Sequence, residues 1–297
     1  MAVSVIIPSH NEGANIAKTV RNVLSTPPGA PLTEVVVIDD HSTDSSVEQV
    51  ASHPTVRCIR PANRLGVSGA RNFGAHETSG EHIIWIDAHT TLEDGWAGRL
   101  VALLKDPKVG ACSPGILDLD PKASAGGFGC TWVPGLPSLP RAWIPADESD
   151  CPVEVPFLPG GCIAMRREVF KITGGFDEGM ILHGEEDIEV SLRLWLLGYT
   201  CLVDSGTIVR HLFRDELTFD HYHAHYVHNK LRVAALHFDE DRLSLVIDSA
   251  RQTPHFPEAC ALLLTSSVAH RRMELLRAGT RNIDWFIRKF GLEINAT

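Results

Sequence analysis

The chain has 297 residues, 44% of them apolar and 22% charged, an ordinary globular balance with ample material for a core. Lysine and arginine total 27 against 37 acidic residues, and the resulting net charge of −10 argues against broad binding to nucleic acid or anionic membrane. The seven cysteines form no Cys-x-x-Cys pair, so reduced thiols of a cytoplasmic chain are expected, not a disulfide framework or zinc knuckle.

The first residues lack a basic leader and break at Pro8, so neither signal peptide nor anchor is expected, and no apolar run reaches the roughly 20 residues of a spanning helix. Instead, Val3–Ile7 reads as a strand. A helix is expected from Gly13 to Leu24, with Ile16, Val20, Val23 and Leu24 on one face. Val35–Ile38 is a second buried strand, Ser45–Ser52 a short helix, Val56–Arg60 a strand and Gly66–Thr78 a helix. Ile83–Ile86 and Gly95–Lys105 continue the alternation. Continuous apolar strands between helices imply an α/β fold with a mostly parallel sheet covered on both faces. Residues 118–161 are rich in proline and glycine and carry Trp132 and Trp143, which reads as an ordered or closing loop over a site. Cys162–Met165 resumes as a strand, Glu186–Leu197 as an amphipathic helix ended by Gly198, and Thr207–His211 as a strand. From Thr218 the pattern is helical to the end. The expected division is a catalytic unit over 1–214 and a helical extension over 215–297.

In such sheets ligands bind beyond the carboxyl ends of the strands. The polar clusters Ser9–Glu12, Asp39–Asp44 and Asp87–His89 fall there. Asp87 and His89, two positions apart after a strand, can point to one ion, and mixed oxygen and imidazole ligands suit Mn²⁺ better than Ca²⁺. His211 ends another strand, and the three together make a ligand set with positions left for phosphate oxygens.

Val3–Glu12, Val35–Asp44, Ile83–His89, Gly160–Phe176, Gly184–Tyr199 and Val209–Arg214 together resemble GT-A glycosyltransferases of the family 2 type. More narrowly, they resemble the catalytic domain of polypeptide N-acetylgalactosaminyltransferases, with Asp87, His89 and His211 at the metal positions. The resemblance implies a GT-A (Rossmann-like) sheet flanked by helices, a Mn²⁺ (or Mg²⁺) ion and a UDP-sugar donor. It places Pro8 and His10 in the turn that cradles uracil, with Glu12 beside them. Asp40 would accept the base N–H, with Asp39 serving instead or orienting the loop. Arg71 would close over base and pyrophosphate, and Gly160-Gly161 would admit the donor sugar. A role for His183 toward sugar or acceptor, and a metal role for the His221–His228 stretch, carry less weight than packing or a polar face.

One position departs from the narrower family. Gly184-Glu185-Glu186-Asp187 stands where those retaining enzymes read Gly-Gly-Glu-Asn, so Asp187, beside Glu186, offers a general base that Asn cannot. That chemistry predicts inversion, with Asp187 a helix cap as the competing reading. The expected activity is transfer of a sugar from UDP to an acceptor hydroxyl on a peptide, metabolite or saccharide. The alternatives are a retaining N-acetylgalactosaminyltransferase-like enzyme and a non-catalytic nucleotide-sugar-binding protein. A nucleotidyltransferase is disfavoured, because no glycine-rich loop with a lysine follows the first strand.

Overall fold

The computed structural model describes residues 2–146, 152–214 and 223–295. Strands β1 (Val3–Ser9), β2 (Leu32–Asp39), β3 (Val56–Ile59) and β4 (His82–Ile86) form a parallel block, with helices α1 (Asn15–Ser25), α2 (Glu48–Ala51) and α3 (Gly66–His76) in the crossovers. Their interiors, Val35–Ile38 and Ile83–Ile86 among them, are fully buried, which is why the sequence there is apolar without alternation. After β5 (Thr90–Leu92) and α4 (Trp96–Leu103), the long strand β6 (Val109–Asp118) extends the sheet.

Sequence patterning overlooks β6, because Gly110, Pro114 and Gly115 break its strand signal. Gly115 is needed there, since a Cβ would stand 2.5 Å from the Phe128 ring. Between β6 and the fifth helix lie β7 (Gly126–Gly127), β8 (Cys130–Trp132), β9 (Arg141–Trp143), β10 (Val153–Glu154) and β11 (Cys162–Arg166). β11 inserts antiparallel between β4 and β6. The helices α5 (Arg167–Thr173) and α6 (Glu186–Leu196) follow, then β12 (Thr200–His211), which runs parallel to β6. The main sheet order is β10-β12-β6-β11-β4-β1-β2-β3, so antiparallel members join the parallel block from one side.

Two expectations need correction. The proline-rich segment is not a loop resting on the surface. Phe128, Cys130, Trp132, Leu139, Val155, Phe157 and Leu158 are core residues, and Trp132 packs on Phe157 at 4.6 Å and Phe238 at 5.6 Å between ring centroids. Helix α6 is not amphipathic in its surroundings either, since all eleven of its residues are buried.

The cause is the C-terminal helical set: α7 (His223–His237), α8 (Glu240–Ala250), α9 (Phe256–Leu264), α10 (Val268–Ala278) and α11 (Ile283–Phe290). Helix α11 packs on Trp195 of the apolar face of α6, while α7 covers the face that the sequence marks as polar. Glu189 and Arg193 there form an ion pair at 2.7 Å, and His237 joins it at 2.9 Å. Leu231, Val233, Ala234, Phe238 and Phe286 belong to the same apolar cluster as Ile6, Trp85 and Ile163. The core therefore runs without a break across the 214/215 boundary. Six described cysteines are free thiols, four of them buried. No helix among the described residues is long and apolar enough to cross a membrane.

Candidate active site

A cleft of about 440 Å³ opens beyond the carboxyl ends of β1, β4 and the adjoining strands, where a sheet of this topology binds ligands. Pro8, His10, Glu12, Asp40, Arg71, Asp87, His89, Gly161, His183, Glu186, Asp187 and His211 all line it. Asp39 does not. Its carboxylate accepts the Ser42 N–H at 2.9 Å and pairs with Arg60 at 2.6 Å, which leaves it the loop-orienting role.

At the centre, ligand atoms of Asp87, His89 and His211 lie within 4.8 Å of one another. His89 Nε2 faces His211 Nε2 at 3.1 Å, and His211 Nε2 stands 3.3 Å from Asp87 Oδ2. Two imidazole nitrogens so close cannot both present protons; a shared cation resolves the arrangement. Glu12 supports that reading. Its Oε1 lies 3.1 Å from His89 Nδ1, so the proton belongs on Nδ1 and the Nε2 lone pair is left for a metal. Arg214 clamps the other end of Glu12. Desolvation pushes the Glu12 pKa up, but His89 and Arg214 outweigh it and hold the carboxyl below its ordinary value. Asp87 is likewise held low: its desolvation is outweighed by the His211 hydrogen bond and the Arg71 charge. The donor set thus fits a divalent ion of the Mn²⁺ type.

Arg71 sits elsewhere than the resemblance implies. Instead of lying over a base, it is buried beneath the cleft floor, stacked 5.0 Å from the Phe176 ring centroid. Its Nη2 donates to Asp87 Oδ1 at 3.1 Å and Gly160 O at 2.8 Å, and its Nη1 stands 3.5 Å from Glu186. Among the described residues Nε and Nη1 have no hydrogen-bond partner, an unusual state for a buried guanidinium.

At one end of the cleft, His10 Nδ1 stands 2.7 Å from the Asp40 carbonyl. The Asp40 carboxylate accepts the N–H groups of Leu65 at 2.6 Å and Gly66 at 3.0 Å, the opening of α3. Arg64 Nε faces Oδ2 at 3.9 Å, and Oδ1 retains a second acceptor direction, so this capping does not exhaust the carboxylate.

At the other end, Asp187 is fully engaged. Arg141 donates to it twice, Nη2 to Oδ1 at 2.7 Å and Nη1 to Oδ2 at 3.0 Å. The Gly160 N–H adds a bond to Oδ2 at 3.0 Å and the Ile188 N–H one to Oδ1 at 2.9 Å. All four acceptor positions of the carboxylate are taken. Glu186 accepts the Gly184 N–H at 2.8 Å. Arg141 escapes sequence reasoning because it lies among prolines with no periodic context. Trp143, which packs edge-on to Phe213 and stands in the segment expected to close over a site, lines the cleft, and Tyr226 of α7 lines it unforeseen. Of the histidine stretch, His221 lies outside the described residues. His228 is fully buried beside Asn229, and among the described residues only the Asp87 set could gather a metal.

The family model for glycosyl transferase family 2 matches residues 4–173, and one for the N-terminal domain of galactosyltransferase matches residues 141–225. Similar proteins include polypeptide N-acetylgalactosaminyltransferase 3 of Taeniopygia guttata, 29% identical over 259 residues, covering 80% of this chain and 42% of that protein. Polypeptide N-acetylgalactosaminyltransferase 15 of Homo sapiens is 28% identical over 308 residues, covering 96% and 46%. The chain spans less than half the length of these curated relatives. Among solved structures, GalNAc-T7 with UDP, GalNAc and Mn²⁺ matches with a TM-score of 0.77 at 23% identity, over 98% of this chain and 56% of that one. That likeness establishes the GT-A fold.

Proposed function

The chain belongs to glycosyl transferase family 2, and on that premise we propose a metal-dependent enzyme that moves a sugar from UDP to an acceptor hydroxyl with retention at the anomeric carbon. The observation that carries the reading is the convergence of Asp87, His89 and His211 on one point of the cleft floor, with His89 oriented by Glu12. Those three residues would hold Mn²⁺, which supplies charge neutralisation at the pyrophosphate. The Arg71 charge beneath the floor, which pairs with Asp87, would add positive potential to the same anionic region. Asp40 would accept the uracil N–H while holding the start of α3, and Pro8 and His10 would flank the base. Gly160 and Gly161 leave room for the sugar.

Retention is favoured over inversion by the state of Asp187. An in-line displacement needs a carboxylate free to take the acceptor proton, and this one is saturated by Arg141, Gly160 N–H and Ile188 N–H. Similarity to polypeptide N-acetylgalactosaminyltransferases supports the same outcome. It also suggests UDP-GalNAc as the first donor to test and a peptide hydroxyl as the acceptor. The deciding experiment is calorimetry with UDP, with and without Mn²⁺, followed by donor turnover and NMR of the product's anomeric proton. UDP binding that needs Mn²⁺, turnover, and an α-linked product from an α-linked donor are expected. Metal-independent UDP binding would overturn the ion site. Tight binding without turnover toward any acceptor would favour a nucleotide-sugar-binding protein instead.

A further inference from the structure

We infer that α7 belongs to the catalytic machinery, because Asn229 is a positioning residue that fixes the loop leading into Glu186 and Asp187. The inference rests on the transferase reading but concerns a residue outside its ligand and metal sites.

The loop is in a backbone state that it does not hold by itself. Leu182, Gly184 and Glu185 all have positive φ, at 53°, 102° and 68°. For Leu182 and Glu185 that is the strained left-handed region. Something outside the loop must therefore fix it. Asn229 is completely buried, and its side chain is spent entirely on this backbone and on its neighbour His228. Oδ1 accepts the Ile181 N–H at 2.8 Å. Nδ2 donates to the carbonyls of Ile181 at 3.0 Å, His183 at 3.2 Å and Gly184 at 2.9 Å. One amide thus reads both polar groups of Ile181 and two further carbonyls, the way a strand edge would.

Two neighbours on the same helix act in concert. Positions 226, 229 and 230 share a face at i, i+3 and i+4 spacing. Tyr226 lies against Gly184, where a Cβ would stand 2.8 Å from its ring, and hydrogen-bonds Glu185. Lys230 Nζ donates to Ser138 O at 2.8 Å, on the segment that leads to Arg141. The face therefore reaches the segments that lead into both partners of the Arg141–Asp187 pair.

The test uses the full chain with Asn229→Ala, Asn229→Ser and Asn229→Asp. Hydrogen exchange is followed in the ligand-free protein, UDP affinity is measured with Mn²⁺, and turnover is measured as UDP release from UDP-GalNAc. Asn229→Ala should speed exchange across residues 181–187 and lower turnover by roughly 10–100-fold, the scale of an ångström-sized misplacement. UDP–Mn²⁺ affinity should stay within about threefold, since Asp87, His89 and His211 stand on other elements. Asn229→Asp keeps the acceptor for Ile181 N–H but sets a carboxylate against three carbonyls. It should leave the Ile181 amide protected while its neighbours exchange faster, a pattern general destabilisation does not give. Unchanged exchange in 181–187 would overturn the inference, and so would faster exchange with undiminished turnover. Failure of all three variants to fold would overturn it too, by making Asn229 a core residue. Wild-type protein that binds no UDP with Mn²⁺ would instead sink the transferase reading, while the exchange pattern still decides the role of Asn229.

Discussion

Replacing Asp187 with Asn separates the two mechanisms that this chain's sequence and structure suggest. The carboxylate accepts four hydrogen bonds, two from Arg141 and one each from Gly160 and Ile188. Asn has one acceptor oxygen in place of two. Turned to occupy the Oδ1 position, it keeps Arg141 Nη2 and the Ile188 N–H and loses Arg141 Nη1 and the Gly160 N–H. A lost bond to a charged group costs about 1.5–3 kcal/mol when desolvated. Two such bonds are lost, but the Arg141 side chain retains 30% exposure, so water recovers part of their cost and about 2–4 kcal/mol of stability should be lost. If Asp187 is a brace, Asp187→Asn should lower turnover by no more than about tenfold and leave the product α-linked, because no proton passes through it. If it is the base of an inverting reaction, turnover should fall by about 10²–10⁴ and the wild-type product should be β-linked. UDP release and anomeric NMR read both. A loss of the larger size with unchanged UDP binding, or a β-linked product, would refute the argument from hydrogen-bond saturation.

Three further outcomes follow from the geometry. Asp87→Ala, His89→Ala and His211→Ala should each abolish Mn²⁺-dependent UDP binding in calorimetry, and EDTA should do the same to the wild type; full metal-dependent binding in any one of them would remove that residue from the ligand set. UDP should bind better than ADP, and Asp40→Asn should erode that preference by up to the roughly 1.5–3 kcal/mol of one charge-assisted hydrogen bond; equal UDP and ADP affinity in the wild type would exclude Asp40 as base reader. Glu189 is held far below its ordinary range: its burial opposes ionisation, but Arg193 and His237 outweigh that. Because the folded-state pKa is depressed, its stabilisation is present above the unfolded value near 4.5 and is lost as pH falls below it. Glu189→Gln should therefore cost about 3–5 kcal/mol at neutral pH by stranding buried Arg193, and should flatten the acid limb of a denaturation-versus-pH curve. An unchanged acid limb would show that the triad does not govern it.

The cluster that could hold a metal was legible in sequence because its three side chains sit at fixed offsets from strand ends: Asp87 and His89 follow β4, and His211 closes β12. A strand end leaves few directions for the next side chain, so motif and geometry coincide. The parallel block was legible for a similar reason, since Val35–Ile38 and Ile83–Ile86 are buried on both faces and carry no polar residue. What was not legible depends on partners far away in the chain. Asp187 reads as a free base until Arg141, 46 positions earlier, is set against it. Arg71 reads as a residue closing over base and pyrophosphate until Asp87, Gly160 and Glu186 close around it. Helix α6 looks amphipathic because its polar face is matched by His237 of α7, and periodicity carries no trace of that match.

The two ends of the cleft are joined through the first turn of α3. Asp40, at the end proposed to hold the base, fixes the N–H groups of Leu65 and Gly66. The next N–H, that of Val67, donates to Leu182 O at 2.7 Å, on the loop that leads to Glu186 and Asp187. Gly66 has φ of 70°, and a Cβ there would stand 2.8 Å from Leu182 Cα, so only glycine allows the two backbones this approach. Leu182 is itself in the left-handed region, at a cost of about 1–2 kcal/mol that a solvent-facing loop would relieve by relaxing. Its carbonyl is held by α3, and its neighbours Ile181 and His183 are held by Asn229. The Asp40 carboxylate, the opening of α3 and the loop that leads to the two carboxylates at the far end thus form one hydrogen-bonded chain. The end proposed to hold the base and the end that carries Glu186 and Asp187 share a backbone contact at Leu182, five residues from Asp187.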